Sequence, residues 1–356
     1  MSLLRAYRAT GADLPLGSPV RSHPGVAMEG YFWRVTVPET GQCVIALIGV
    51  NRGPRGPWAT LGLAAHPQGT LAVAAHAGAT ADPLRLGAAA GAAFTADADR
   101  VRVELGADHS LHLEVTDPVP WPVGRLGGSS VFHSVPSLNQ YWHPWLLGGR
   151  ALGYAVVAGE RVDLTGGQVY AEKNWGREGF PESWWWGQAH GFAERSACVA
   201  FAGGQVSAGP LRTEVTAVVV RLPGGRVLRW GNPLVSPVTA HVSDDTWRLH
   251  GRLLRPDGLW RVEVRGSAPL RDAHVLPVPL PSQHRNIAGA LEHLGGRMDV
   301  TVTRQSGRRG AQIVCEGRSE VAGLEHGSLA LAARAVRDRG WPDGATHAPP
   351  AAPGTP

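Results

Sequence analysis

Period-two alternation is the pattern that most restricts this chain. Arg100-Val101-Arg102-Val103-Glu104-Leu105 puts apolar side chains on one face and charges on the other, and Leu111-His112-Leu113-Glu114-Val115 repeats this after a turn at Ala107-Asp108-His109. Two such runs joined by a turn make a hairpin. Val215 to Leu222 and Arg226 to Trp230 flank Pro223-Gly224-Gly225, and Trp247 to Leu254 and Leu259 to Val264 flank Pro256-Asp257-Gly258. Met298 to Thr303 and Ala311 to Cys315 read as a fourth hairpin. Helical periodicity is scarce, with one good candidate at Ser328 to Arg339, where Leu329, Leu331, Ala332 and Val336 share a face. Many short strands separated by turn residues predict an all-β protein of barrels or sandwiches.

At 356 residues, two domains of similar size are the default. The net charge of +5 and pI near 9.5 come from scattered arginines with no basic run, so a nucleic-acid groove is not expected. Attraction to anionic lipid headgroups is compatible with this charge and, for a chain expected in the cytoplasm, allows a peripheral place at the inner face of the membrane. Cys43, Cys198 and Cys315 lie far apart and predict reduced thiols rather than a disulfide framework. No apolar run reaches the length of a membrane helix, and the N-terminus has no basic region followed by an apolar core. The 15 histidines contain no His-x-x-x-His pair. Nucleophilic-serine, P-loop and dinucleotide motifs are absent too, so no metal, no cofactor and no obligate protein partner are expected.

Chemistry concentrates elsewhere. Lys173 is the only lysine beside 33 arginines, and seven of the 13 tryptophans fall between Trp121 and Trp186. An ammonium is a compact charge whose pKa moves on burial, so a single retained lysine marks a place a guanidinium does not fill. On a strand, Trp184, Trp186, Gln188 and His190 share one face and Trp185 takes the other, which mixes indoles with polar groups. Near the N-terminus, Glu29 lies on the side of Tyr31 and Trp33, while Phe32 faces away. A carboxyl against aromatic walls is raised in pKa, so Glu29 and Glu172 are both candidate proton donors. Glu172 and Lys173 are adjacent, hence on opposite faces of a straight strand. If Glu172 enters an aromatic cavity, Lys173 anchors outward to a carboxylate; if the strand bends, both enter.

The string Tyr170-Ala171-Glu172-Lys173-Asn174-Trp175-Gly176, then Gly179-Phe180-Pro181 and Trp184-Trp185-Trp186-Gly187-Gln188, resembles the tocopherol cyclase family. Glu29-Gly30-Tyr31-Phe32-Trp33-Arg34-Val35 is similar to that family's opening motif with the aromatic order permuted. Gln140-Tyr141-Trp142, Gly153-Tyr154, Glu292-His293-Leu294-Gly295-Gly296 and Ala322-Gly323-Leu324-Glu325 are compatible with it. Gly176-Arg177-Glu178-Gly179 departs from the family's glycine run.

The resemblance implies two lipocalin-like antiparallel β-barrels packed together. The expected organisation is an N-terminal segment (1–22), barrel 1 (23–178), barrel 2 (179–328), and a short C-terminal helix with a disordered proline-alanine tail (329–356). It also implies closure of a prenylated benzoquinol to a chromanol. That reaction needs a neutral acid, aromatic faces for a tertiary cation, and exclusion of water. Glu29, Glu172 and Lys173 are the candidate catalytic residues. Tyr31, Trp33, Tyr141, Trp142, Asn174, Trp175, Trp184, Trp186, Gln188 and His190 are the candidate substrate-binding residues. A prenylquinol or other isoprenoid is the expected small-molecule partner. A carotenoid hydratase-like enzyme and a non-catalytic lipid-binding protein are the competing readings.

Overall fold

The computed structural model describes residues 3–16, 19–208, 211–307 and 310–341. A short helix, α1 (Leu3–Arg8), leads into a first sheet: β1 (Met28–Val37), β2 (Gln42–Gly53), β3 (Gly56–His66), β4 (Thr70–Ala77), β5 (Thr80–Ala81), β6 (Ala88–Ala90), β7 (Phe94–Ala96), β8 (Arg100–Glu104), β9 (His109–Thr116), β10 (Tyr141–Leu146), β11 (Arg150–Val157), β12 (Glu160–Asp163) and β13 (Gln168–Gly176). A second sheet follows: β14 (Ser183–Ala189), β15 (Cys198–Ala208), β16 (Leu211–Arg221), β17 (Val227–Trp230), β18 (Val238–Val242), β19 (Thr246–Arg255), β20 (Gly258–Ser267), β21 (His274–Leu280), β22 (Arg285–Gln305) and β23 (Gln312–Ser328). Helix α2 (Leu329–Arg339) ends the described chain, capped by the Ser328 hydroxyl. It buries Ala332 and Ala335, while Leu329 of the expected apolar face stays 43% exposed. The proline-alanine tail lies outside the described residues.

All four expected hairpins form, as β8–β9, β16–β17, β19–β20 and β22–β23. The first sheet runs β4-β3-β2-β1-β13-β11-β9-β8-β7-β6-β5, the second β17-β16-β15-β14-β23-β22-β20-β19-β18. Both are antiparallel and curl around a core of their own. The expectation of closed barrels is corrected to curled, open sheets. β18 comes close to β16, yet among the described residues no ladder zips either sheet shut. Among the same residues no helix is long and apolar enough to cross a membrane.

Strands β1, β13 and β14 are buried on both faces, which explains their dense aromatic sequence. Tyr31, Trp33 and Val35 of β1 enter the first core, while Phe32 turns toward the second sheet and touches Trp186 at 5.3 Å between ring centroids. Trp185 of β14 enters the second core; Trp184 and Trp186 face the first sheet. The space between the sheets is therefore walled by residues that alternate away from each sheet's own core.

Candidate active site between the sheets

Glu172 leaves β13 toward the second sheet. One of its oxygens, Oε2, accepts hydrogen bonds from Tyr170 OH at 2.6 Å, Trp186 Nε1 at 2.7 Å and Trp142 Nε1 at 2.8 Å. Tyr170 is two residues back on the same face, Trp142 sits opposite Asn174 on β10, and Trp186 comes from β14 across the gap. Three donors occupy Oε2, so a proton on this carboxyl resides on Oε1, which takes no hydrogen bond among the described residues. Burial pushes the Glu172 pKa up, and the three donors draw it only partly back.

Two further carboxyls face the same space from the second sheet. Glu292 on β22 and Glu325 on β23 are direct cross-strand partners. Trp184 Nε1 donates to Glu325 Oε1 at 2.8 Å, while Glu292 is 1% exposed and neither of its oxygens has a hydrogen-bond partner among the described residues. Burial, together with the nearby Glu172, moves Glu325 up to about 7. Burial and then repulsion from Glu325 hold Glu292 well above the usual carboxyl range, against the pull of Arg34.

Two hollows of about 120 and 80 Å³ adjoin these acids. Both are lined by Glu172, Asn174, Phe180, Trp184, Trp186 and Glu325. Phe180, from the link between β13 and β14, lies on Trp184 with ring centroids 4.9 Å apart. Asn174 Oδ1 is buried without a hydrogen-bond partner among the described residues and rests on Gly30, where an added Cβ would come within 2.2 Å of it. This close approach accounts for the glycine after Glu29.

The other candidates separate into two groups. Trp142, Tyr141, Asn174, Trp184 and Trp186 line the hollows with Glu172, and Tyr31 borders the smaller one from the edge of the first core. Lys173 and Glu29 lie on the opposite face. Lys173 Nζ reaches Glu29 Oε2 at 2.7 Å, Arg21 O at 2.7 Å, His23 Nδ1 at 3.0 Å and Pro19 O at 3.3 Å. Glu29 Oε2 also accepts from the His23 amide at 3.0 Å, and Arg52 pairs with its other oxygen. Burial alone would raise Glu29, but Lys173, His23 and Arg52 outweigh it and hold the carboxyl well below its usual range. An acid kept ionised has no proton to give, which corrects the expectation of a neutral Glu29.

Trp33 sits in the first core against Trp145 and Phe94. Trp175 stacks between His23 and Tyr141 and donates to Gly11 O at 2.7 Å. Gln188 accepts from Arg34, whose guanidinium also donates to the carbonyls of Leu294 and Val321 at 2.6 Å each and so ties β1 to the second sheet. His190 is buried beside Leu147 O, its pKa lowered to about 3 by burial. None of these four lines either of the two hollows.

Glu292 and Glu325 were not among the sequence candidates, nor was Phe180. The signal for the two acids was a lone carboxyl inside otherwise apolar or glycine-rich strand runs, Ala290-Leu291-Glu292 and Ala322-Gly323-Leu324-Glu325.

The family profile described as tocopherol cyclase-like matches residues 129–328. The chain belongs to that family. Every acid around the hollows, with Trp142, Trp184 and Trp186, lies inside the matched segment; β1 precedes it. The chain is 38% identical over 77 residues to a probable chloroplastic tocopherol cyclase of Oryza sativa subsp. japonica, a match covering 22% of this chain and 15% of that protein. Among solved structures it is similar to CghA with Sch210972 (TM-score 0.50, 12% identity, 85% of this chain and 89% of that one). It is also similar to kievitone hydratase from Nectria haematococca (TM-score 0.47, 10% identity, 90% and 94%). At these identities the CghA likeness concerns the fold alone.

Proposed function

We propose that this protein is an acid-catalysed cyclase that closes a prenylated benzoquinol to a chromanol, with Glu172 as the proton donor. The observation that carries this reading is the saturation of Glu172 Oε2 by three donors, which restricts the acidic proton to Oε1 beside an indole-walled hollow. Membership of the family and the likeness to the rice relative support it. We read the curled sheets as lipocalin-like barrels left open along one seam, with the substrate held between them.

In the proposed reaction Glu172 Oε1 gives its proton to the trisubstituted alkene. The faces of Trp184, Trp186 and Phe180 steady the resulting tertiary cation by roughly 0.5 to 2 kcal/mol each. The phenol oxygen then attacks the cation, and Asn174, with its free Oδ1, accepts a quinol hydroxyl. The hollows are smaller than the roughly 300 to 1,000 Å³ usual for ligand sites. Phe180 therefore swings off Trp184 to join them, so that ring and tail occupy opposite sides.

The test is incubation with dimethylphytylbenzoquinol followed by mass spectrometry, for wild type and Glu172→Gln. A product of unchanged mass that the variant fails to make is expected. A gain of one water would replace cyclase by hydratase. Retained, unaltered lipid would replace it by carrier.

A further inference from the structure

Glu292 is a buried acid with no hydrogen-bond partner among the described residues, and Glu172 chemistry leaves it unused. Transfer of an unpaired carboxyl from water into a protein interior is expensive, and such groups are normally bonded. Here the carboxyl borders the smaller hollow and stands in register with Glu325, which borders both hollows and is fixed by the Trp184 indole. Cross-strand partners on one face have Cβ atoms about 4.5 to 5.5 Å apart, which sets the two carboxyls side by side on one wall of the hollow.

We propose that Glu325 is the general base of the pocket and that Glu292 is its proton-sharing positioning partner, so that the site holds an acid on the first sheet and a base on the second. This rests on the cyclase reading and supplies its missing half. Closure consumes a proton at the alkene carbon and releases one from the phenol oxygen. Glu172 Oε1–H adds to the alkene, the phenol oxygen forms the new C–O bond to the cation, and its O–H proton passes to the Glu325 carboxylate. The proton then returns across the emptied hollow to Glu172. Atoms and electrons balance without an oxidant, a reductant or a net proton.

The arrangement also times the transfer. When Glu172 becomes a carboxylate its charge raises the proton affinity of Glu325 at the moment the phenol must lose its proton. The Trp184 indole steadies the Glu325 anion beforehand, and Glu292 holds the shared proton.

Two arms test this. In D2O with dimethylphytylbenzoquinol, Glu325→Gln is expected to bind the quinol and to lose closure by roughly 10² to 10⁴-fold, the span of a general base. Deuterium should still enter the prenyl tail, because Glu172 continues to give a deuteron to the alkene and take back a flanking proton. Closure at the wild-type rate overturns the proposal. The second arm needs no substrate. At neutral pH, Glu172→Gln protein is expected to keep a deuteration-sensitive protonated-carboxyl infrared band that Glu172→Gln/Glu292→Gln/Glu325→Gln lacks. No such band in the single variant overturns the shared proton. If wild type closes no prenylquinol, the cyclase reading fails while this band still reports on the pair.

Discussion

Glu172 and Lys173 are consecutive in β13, yet their polar ends lie on opposite sides of the first sheet. The Glu172 carboxyl meets Trp142, Trp186 and Tyr170 between the sheets, and the Lys173 ammonium meets Glu29 on the other face. One face holds a carboxyl whose pKa burial raises, and the other holds one that an ammonium keeps ionised. A one-residue step along a strand thus separates the proposed chemistry from scaffolding.

Glutamine at the two acids should give opposite phenotypes. Glu172→Gln keeps the shape and loses the proton, so turnover is expected to fall roughly 10² to 10⁴-fold with little change in unfolding midpoint. Glu29→Gln leaves Lys173 buried without its carboxylate and should cost roughly 3 to 5 kcal/mol of stability. Urea unfolding read beside turnover of the folded fraction separates them. Equal stability of both variants would contradict the assignment.

Lys173 reaches four acceptors with three hydrogens, all in a fully buried space. A guanidinium is planar and longer, so Lys173→Arg overfills the site and should destabilise by roughly 1 to 3 kcal/mol. The segment carrying Pro19, Arg21 and His23 loses its anchor, so limited proteolysis should cut there first. Wild-type stability and protease resistance would show that a guanidinium fills this place equally well.

Gly327 is the cross-strand partner of Trp184, and a Cβ there would lie 1.9 Å from the indole Cδ2. Gly327→Ala must therefore displace Trp184 and break its bond to Glu325. The Trp184 indole N–H resonance, identified by its loss in Trp184→Phe, is expected to move upfield, and turnover to drop at least about tenfold, the effect of losing about 1.4 kcal/mol of transition-state support. An unmoved resonance would show that the ring does not rest on this glycine.

Much of this was readable from alternation. Arg100 to Val115 forms β8 and β9 because charges and valines alternate around a turn, and the opposite faces of Trp185 and its flanking indoles follow from strand geometry. What alternation does not carry is long-range pairing. Nothing local in Ala290-Leu291-Glu292 says that β22 will set Glu292 opposite Glu325, or that β1 will lie beside β13. Glu29 misled for the same reason. Its aromatic neighbours Tyr31 and Trp33 are visible in sequence, whereas Lys173 and Arg52, which keep it ionised, arrive from other strands. Helix α1 escaped notice because it has no buried face; Tyr7 OH holds its end by donating to Ser134 O at 2.7 Å.

Stability should fall with rising pH because of Glu325. Burial moves its pKa from the ordinary 4.5 to about 7, so between these values the folded chain binds more protons than the unfolded one. In that window ionisation is easier in the unfolded state, and the folded state loses stability as pH rises. The groups facing Glu325 are Glu172 from β13, Glu292 from β22 and Trp184 from β14, with Arg34 of β1 acting on Glu292; the charges that oppose ionisation of Glu325 are thus themselves carboxyls. Glu325→Gln removes the penalty, so its urea midpoint should match wild type at about pH 5 and exceed it at about pH 8. Parallel pH profiles for the two proteins would mean that Glu325 titrates as an ordinary solvated acid, and the buried pair would lose its physical basis.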